Sequence, residues 1–86
     1  MTRDDTIQKE PTETLDTSGM LCPLPVYKAG LALKGLEQGD VLRLVCTDPG
    51  SLADIPAFAR QGGHVLLEVD DQGSTQTFLI EKGPGS

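Results

Sequence analysis

The residue best placed to do chemistry is Cys22, which stands directly before Pro23-Leu24-Pro25. Proline fixes its own φ and lacks an N–H, so it fits the first turn of a helix, where amide donors are unpaired. The pattern therefore predicts a stiff junction between a loop and a helix, with the sulfur near the positive end of the helix dipole. That position favours thiolate over thiol, and the thiolate is the form that reacts. We expect function at Cys22.

The two cysteines also have plainer interpretations. Cys22 could be an inert small hydrophobe, as many free cysteines are. Cys46 falls on the inward face of a predicted strand, which favours a buried core residue. Alternatively, Cys46 resolves an oxidised Cys22, provided that the two α-carbons lie within bonding range. The chain lacks the Cys-x-x-Cys spacing of redox motifs, which counts against a redox pair.

Other side chains with chemical capacity give weaker signals. His64 and two distant cysteines make no zinc-binding spacing, so a structural or turn role is favoured for His64. Asp48 and Asp54 fit a turn and a helix cap better than acid–base catalysis. No side chain is evident as a base for Cys22, and Lys28 is only a candidate for assisting the Cys22 thiol. We expect no metal and no cofactor.

Length and charge narrow the classes of function. A chain of 86 residues predicts one domain. It has 13 acidic and 7 basic residues, a net charge of −6, which disfavours nucleic acid and suits a basic protein partner. No apolar run predicts a membrane span or a signal peptide. Two cysteines make no disulfide framework, so we expect a cytoplasmic protein.

The elements that must position these residues alternate along the chain. Patterning predicts strands at 13–17, 41–47 and 75–82, a strand through Val65, Leu67 and Val69, a helix from Pro23 or Pro25 to about Leu36, and a helix from Ser51 to Gly62-Gly63. The first two strands flank a helical crossover and should be parallel, whereas the last two form an antiparallel hairpin. This predicts an α/β (α+β) two-layer sandwich of order βαβαββ, with a four-stranded mixed sheet and two helices on one face.

The domain is predicted to span residues 14–82, after a disordered N-terminal leader at 1–13 and before a flexible C-terminus at 83–86. Reactive groups gather at the carboxyl ends of parallel strands, and Cys22 falls at that edge. The second helix is predicted to begin with a variant capping box, Ser51–Asp54, and to face Leu52, Ile55, Phe58 and Ala59 inward. Pro56 conflicts with a regular first turn, so Asp54 is the alternative cap.

The face of the sheet away from the helices is predicted to be open. Alternation would place four apolar residues on that face: Val41, Val45, Leu66 and Leu79. Such a patch could bind a partner or a second copy of the chain. We therefore expect a possible weak homodimer through the open face.

Residues 15–26, Leu-Asp-Thr-Ser-Gly-Met-Leu-Cys-Pro-Leu-Pro-Val, resemble the CPxP signature of the TusA/SirA family of small sulfur-carrier proteins. The likeness extends over about 14–82, through Gly39-Asp40-Val41-Leu42, Thr47-Asp48-Pro49-Gly50-Ser51, Asp54-Ile55-Pro56-Ala57-Phe58, Gly63-His64 and Phe78-Leu79-Ile80-Glu81-Lys82. It implies a two-layer sandwich and a sulfur relay, in which Cys22 accepts sulfane sulfur as a persulfide. The implied donor is a cysteine desulfurase or rhodanese-type protein, and the implied acceptor is a sulfurtransferase.

The expected role is that of a carrier and co-substrate, not of an enzyme with its own turnover. Pro23 and Pro25 would keep the junction stiff, and Gly19 would permit the turn before it. Many members that act in tRNA thiolation have a basic or polar residue before the cysteine and an acidic one between the prolines, where this chain has Leu21 and Leu24. Sulfur oxidation, cofactor sulfuration and tRNA thiolation therefore all stay open. The alternatives are a redox switch and a non-catalytic interaction module.

Overall fold

The computed structural model describes residues 10–84. Most of the predicted leader, residues 1–9, and the last two residues, 85–86, lie outside the described residues. At the start of the described chain, the Thr12 N–H donates to the Val41 carbonyl at 2.7 Å, and Thr12 Oγ1 accepts from the Val41 N–H at 3.1 Å. At its end, Gly83 is buried, and its N–H donates to His64 Nδ1 at 3.0 Å.

The fold is the predicted βαβαββ arrangement. Its elements are β1 (Glu13–Thr17), α1 (Leu24–Lys34), β2 (Val41–Cys46), α2 (Ser51–Gln61), β3 (Val65–Asp71) and β4 (Gln76–Glu81). The strand order is β1-β2-β4-β3, with β1 and β2 parallel and the other pairs antiparallel. The four-stranded mixed sheet with two helices is thereby confirmed. No helix within residues 10–84 has both the length and the apolar character needed to cross a bilayer.

The core lies between the sheet and the two helices. Its buried members come from α1, β2, α2 and β4: Ala29, Leu33, Leu42, Leu44, Cys46, Ile55, Ala59, Phe78 and Ile80. Alternate residues of β2 and β4 face the helices, as period-two patterning predicts. Full burial of each large aliphatic or aromatic side chain contributes about 1.5–3 kcal/mol. The inward prediction for Leu52 is wrong, since that residue is exposed.

The register of β3 differs from the prediction. The alternation that puts Leu66 on the open face would turn Val65 and Leu67 towards the helices, yet both are exposed. Leu66 instead pairs with Ile80 and packs against the core, and the next pair joins Glu68 to Leu79. Leu67 is therefore the extra residue of a β-bulge, which shifts the alternation of faces along the strand. Strict alternation in sequence cannot locate such an insertion.

The open face of the sheet is not the apolar patch that the sequence predicts. Val41 is fully buried, and Leu66 packs on the core side. A shallow hollow on the open face is lined mainly by charged and polar side chains: Arg43, Glu68, Asp70, Thr77 and Leu79. Val41 and Leu66 therefore add no exposed surface to the predicted patch, and the weak homodimer through this face stays a prediction.

Candidate functional site

Two loops form the site at the carboxyl ends of the parallel strands β1 and β2. The β1–α1 loop carries Cys22, at the edge that the predicted topology indicated. Two hydrogen bonds join this loop to the loop that follows β2. The Gly19 N–H donates to Thr47 Oγ1 at 2.8 Å, and the Cys22 N–H donates to Asp48 Oδ2 at 2.8 Å. The backbone of Cys22 is thus fixed from outside its own loop.

The chain reaches Cys22 through a tight turn after β1. Asp16 Oδ1 accepts from the Ser18 N–H at 2.9 Å and from the Ser18 hydroxyl at 2.5 Å, and these bonds lower the pKa of Asp16. Gly19 follows with φ of +82°, a conformation that favours glycine. The Met20 N–H then donates to the Thr17 carbonyl at 3.1 Å. The turn is therefore held by local hydrogen bonds.

The first turn of α1 leaves no amide directed at the sulfur of Cys22. Pro23 is the N-cap residue, and Pro25 lies buried in the first turn; neither has an N–H. The Leu24 N–H donates to the Leu21 carbonyl at 2.9 Å. The Cys22–Pro23 peptide bond is cis. The prolines thus begin the helix as predicted but supply no donors to Cys22.

The sulfur of Cys22 lies over the start of α2. The residue is half-buried, and its Sγ lies 3.8 Å from Ser51 Oγ. A Cβ added to Gly50 would lie 3.4 Å from the same sulfur. The sulfur therefore contacts the N-terminal turn of the second helix, although Cys22 precedes the first.

The predicted activation of the Cys22 thiol is wrong for the isolated protein. Burial raises the pKa of Cys22 to about 11, helped by the Asp54 side chain and by the negative charges of Asp48 and Asp54. The Ser51 hydroxyl acts in the opposite direction and lowers that pKa. At neutral pH the group is therefore a thiol, because two nearby carboxylates and partial burial outweigh the helix ends.

Asp48 is a turn residue, as predicted, and also an anchor for Cys22. Its Oδ1 accepts from the Gly50 N–H at 3.1 Å, while Oδ2 accepts from Cys22. These two backbone donors lower the pKa of Asp48 and keep it ionised. Sequence reasoning missed the anchoring role. The available signal was the position of Asp48-Pro49-Gly50 after a strand parallel to β1.

The capping box predicted for Ser51–Asp54 is wrong. The N-cap residue is Gly50, no side chain caps the helix, and Pro56 lies inside it. The first amides bond to the backbone instead: the Ser51 N–H donates to the Asp48 carbonyl at 2.9 Å, and the Leu52 N–H to the Pro49 carbonyl at 3.0 Å. The Ser51 side chain is fully buried. Its hydroxyl is therefore available to the thiol rather than to the helix.

Cys46 has the core position that the simpler interpretation predicted. It is fully buried, and the Thr17 hydroxyl donates to its Sγ at 3.4 Å. Lys28, the candidate for assisting the Cys22 thiol, is exposed on α1.

His64 contacts the backbone and an aromatic ring. Its Nδ1 accepts from Gly83, and its ring centroid lies 5.8 Å from that of Phe58. Burial, with a smaller effect of the Lys82 charge, lowers the pKa of His64. Across residues 10–84, no three His, Cys, Asp or Glu side chains are grouped so that they could hold a metal ion.

An apolar strip begins beside Cys22 and continues along the outer side of α1. Its members are Leu21, Leu24, Tyr27 and Leu31, which are 71%, 49%, 67% and 67% exposed. The last three follow helical spacing and therefore share one face. The strip places exposed apolar surface next to the half-buried thiol of Cys22.

Comparison with known proteins gives a consistent result. The family model "Sulfurtransferase TusA" matches residues 13–82. A putative sulfur carrier protein of Neisseria meningitidis is 46% identical over 70 residues, covering 81% of this chain and 95% of the relative. The sulfur carrier protein TusA of Allochromatium vinosum is 44% identical over 70 residues, covering 81% and 92%.

A solved structure agrees with these sequence relatives. The crystal structure of a SirA-like protein from Desulfitobacterium hafniense superposes with a TM-score of 0.74 at 27% identity, covering 84% of this chain and 99% of that one.

Proposed function

The chain belongs to the TusA family, and on that premise we propose that it is a sulfur carrier that holds sulfane sulfur as a persulfide on Cys22. One observation carries the choice of residue: Cys22 is half-buried on an anchored loop at the carboxyl edge of the sheet, whereas Cys46 is fully buried in the core. A thiol that exchanges sulfur with another protein must be reachable by that protein's reactive group.

The proposed chemistry needs only sulfur–sulfur exchange. In loading, the Cys22 thiolate attacks the outer sulfur of a donor persulfide, and the electron pair of the broken S–S bond leaves on the donor thiolate. In release, an acceptor thiolate attacks the outer sulfur on Cys22, and Cys22 leaves as a thiolate. Electrons and atoms balance in both steps without an added oxidant. A carrier therefore needs no catalytic triad.

The surroundings of Cys22 favour retention of the sulfur between partners. A thiol with a raised pKa is mostly protonated at neutral pH and leaves slowly as a thiolate. A partner that brings positive charge towards Asp48 and Asp54 would lower that pKa in the complex. We therefore propose that loading and release are fast only when a protein partner is bound, and that the protein acts as a co-substrate rather than as an enzyme.

The proposed partners are a sulfur donor, of the cysteine desulfurase or rhodanese type, and an acceptor sulfurtransferase. The pathway is set by those partners. The apolar strip is the proposed docking surface for the donor, because it adjoins Cys22 and any protein that reaches the sulfur must cover its nearest residues. The acidic pair Asp48 and Asp54 and the net charge of −6 favour a donor surface with basic groups around an apolar centre.

Intact-mass measurement tests this proposal. The protein is incubated with polysulfide, or with a cysteine desulfurase and cysteine. Its intact mass is then measured with and without reductant. A carrier gains whole sulfur atoms that reductant removes, and Cys22→Ala abolishes the gain while Cys46→Ala retains it. Loss of two hydrogens that requires both cysteines would instead identify a redox pair. No change in mass would favour the remaining alternative, a non-catalytic interaction module.

A further inference from the structure

Ser51 has a buried hydroxyl that the fold does not use. The residue is fully buried as the first residue of α2, and the helix has no side-chain cap. A hydroxyl removed from water is costly unless it has a hydrogen-bond partner. Within residues 10–84, the one partner in reach of Ser51 Oγ is the sulfur of Cys22, at 3.8 Å. The hydroxyl is therefore directed to the reacting atom.

The sulfur of Cys22 needs such a donor. In both proposed steps, negative charge resides on Cys22 Sγ, before it attacks the donor or after the outer sulfur leaves. The amides around it are engaged elsewhere: Cys22 donates to Asp48, Leu24 donates to Leu21, and the Ser51 amide donates to the Asp48 carbonyl. A thiolate at this position faces two carboxylates, Asp48 and Asp54. The Ser51 hydroxyl is the neutral donor next to it.

We propose that the Ser51 hydroxyl donates a hydrogen bond to Cys22 Sγ and stabilises the thiolate that attacks in loading and departs in release. This inference rests on the proposed function of Cys22. Hydrogen bonds to charged acceptors are stronger than those between neutral groups, so the contact strengthens as the thiol becomes a thiolate. Ser51 therefore favours the reacting state over the resting thiol.

Two measurements that need no protein partner test the role of Ser51. The first is the pH dependence of Cys22 alkylation by iodoacetamide. The second is sulfur release from the persulfide to cyanide: cyanide attacks the outer sulfur, thiocyanate forms, and Cys22 leaves as a thiolate that is then protonated. For Ser51→Ala we expect the alkylation midpoint to move to higher pH and release to slow about threefold to tenfold. Ser74→Ala, an exposed serine in the β3–β4 turn, is the control and should change neither.

A second pair of variants separates the hydroxyl from its packing. Threonine and valine have the same shape, but only threonine has a hydroxyl, so Ser51→Thr should release sulfur faster than Ser51→Val. Equal rates for that pair, or unchanged rates for folded Ser51→Ala, would overturn the role of Ser51. If wild-type protein accepts no sulfur at all, the proposed function of Cys22 fails instead. The alkylation profile would still report whether Ser51 affects the thiol.

Discussion

At the scale of single residues, the Cys22 thiol lies at a helix start, and burial and the Asp48 and Asp54 carboxylates raise its pKa. Pro23 and Pro25 indicate a helix start, and that start is observed. The carboxylates that raise the pKa of Cys22 come from Asp48 and Asp54, far along the chain, and only the parallel pairing of β1 and β2 brings their loop to the sulfur. A local sequence pattern predicts the effect of the helix dipole on Cys22. It does not reveal the charges that tertiary contacts bring close to the sulfur.

Removing the charge of Asp54 should make Cys22 more acidic. After burial, the Asp54 side chain contributes most to raising the pKa of Cys22, which is about 11. Each unit by which the pKa falls increases the thiolate fraction at neutral pH about tenfold. We expect Asp54→Asn to raise the rate of alkylation by iodoacetamide at neutral pH about threefold to tenfold and to move its midpoint to lower pH.

The matched control for that variant is Glu68→Gln, which removes one negative charge from the open face of the sheet. It should leave the alkylation profile of Cys22 unchanged. An equal shift in both variants would attribute the effect to net charge and not to the position of Asp54.

At the scale of elements, the types and order follow from the sequence, whereas two local details do not. The bulge at Leu67 reverses part of the alternation in β3, and α2 begins without a side-chain cap. Both depend on contacts with neighbouring elements: the pairing of β3 with β4, and the use of Asp48 to hold Cys22 and Gly50. Ser51-x-x-Asp54 has the spacing of a capping box, but its serine side chain packs beneath the thiol.

A long-range cap at the end of α1 shows the same dependence on tertiary contacts. The ammonium group of Lys82, just after β4, donates to the carbonyls of Leu33 and Leu36 at 2.9 and 3.0 Å. These carbonyls lie at the C-terminal end of the helix, where a cation also favours the helix dipole.

Loss of this cap should destabilise the whole domain. We expect Lys82→Met to lower the free energy of unfolding by about 1–3 kcal/mol, because buried carbonyls lose a charged donor. Lys34→Met is the control, since Lys34 lies exposed in the last turn of the same helix. Urea denaturation compares the two variants with wild type. Equal midpoints for Lys82→Met and Lys34→Met would show that the buried hydrogen bonds contribute nothing.

At the scale of the whole molecule, one end of the sheet gathers the thiol, the acidic pair and the apolar strip. The helices cover one face, a hollow on the other face is lined mainly by charged and polar side chains, and the apolar strip of α1 begins beside Cys22. Leu21 and Leu24 flank Cys22 and Pro23 in the sequence. The extension to Tyr27 and Leu31 required the orientation of α1, which the packing of Ala29 and Leu33 fixes.

The apolar strip should matter for protein donors but not for small ones. We expect Leu24→Ser to slow sulfur loading from a persulfide-bearing rhodanese-type protein about fivefold, because an exposed anchor next to the site is lost. Loading from polysulfide should be unchanged. Leu67→Ser, at similar exposure on β3, is the control: Leu24 is 49% exposed and Leu67 is 42% exposed. Equal slowing with polysulfide would place the effect on the thiol itself and contradict a docking role.

The central claim is that Cys22 is the atom that carries the sulfur, and a peptide-level mass map after loading tests it most directly. The protein is loaded with sulfur by a cysteine desulfurase and cysteine and is digested without reductant. The mass of every cysteine-containing peptide is then measured. The account predicts added sulfur on the peptide that contains Cys22, with the Cys46 peptide unmodified. Added sulfur on Cys46, or a Cys22–Cys46 cross-linked peptide in its place, would contradict it.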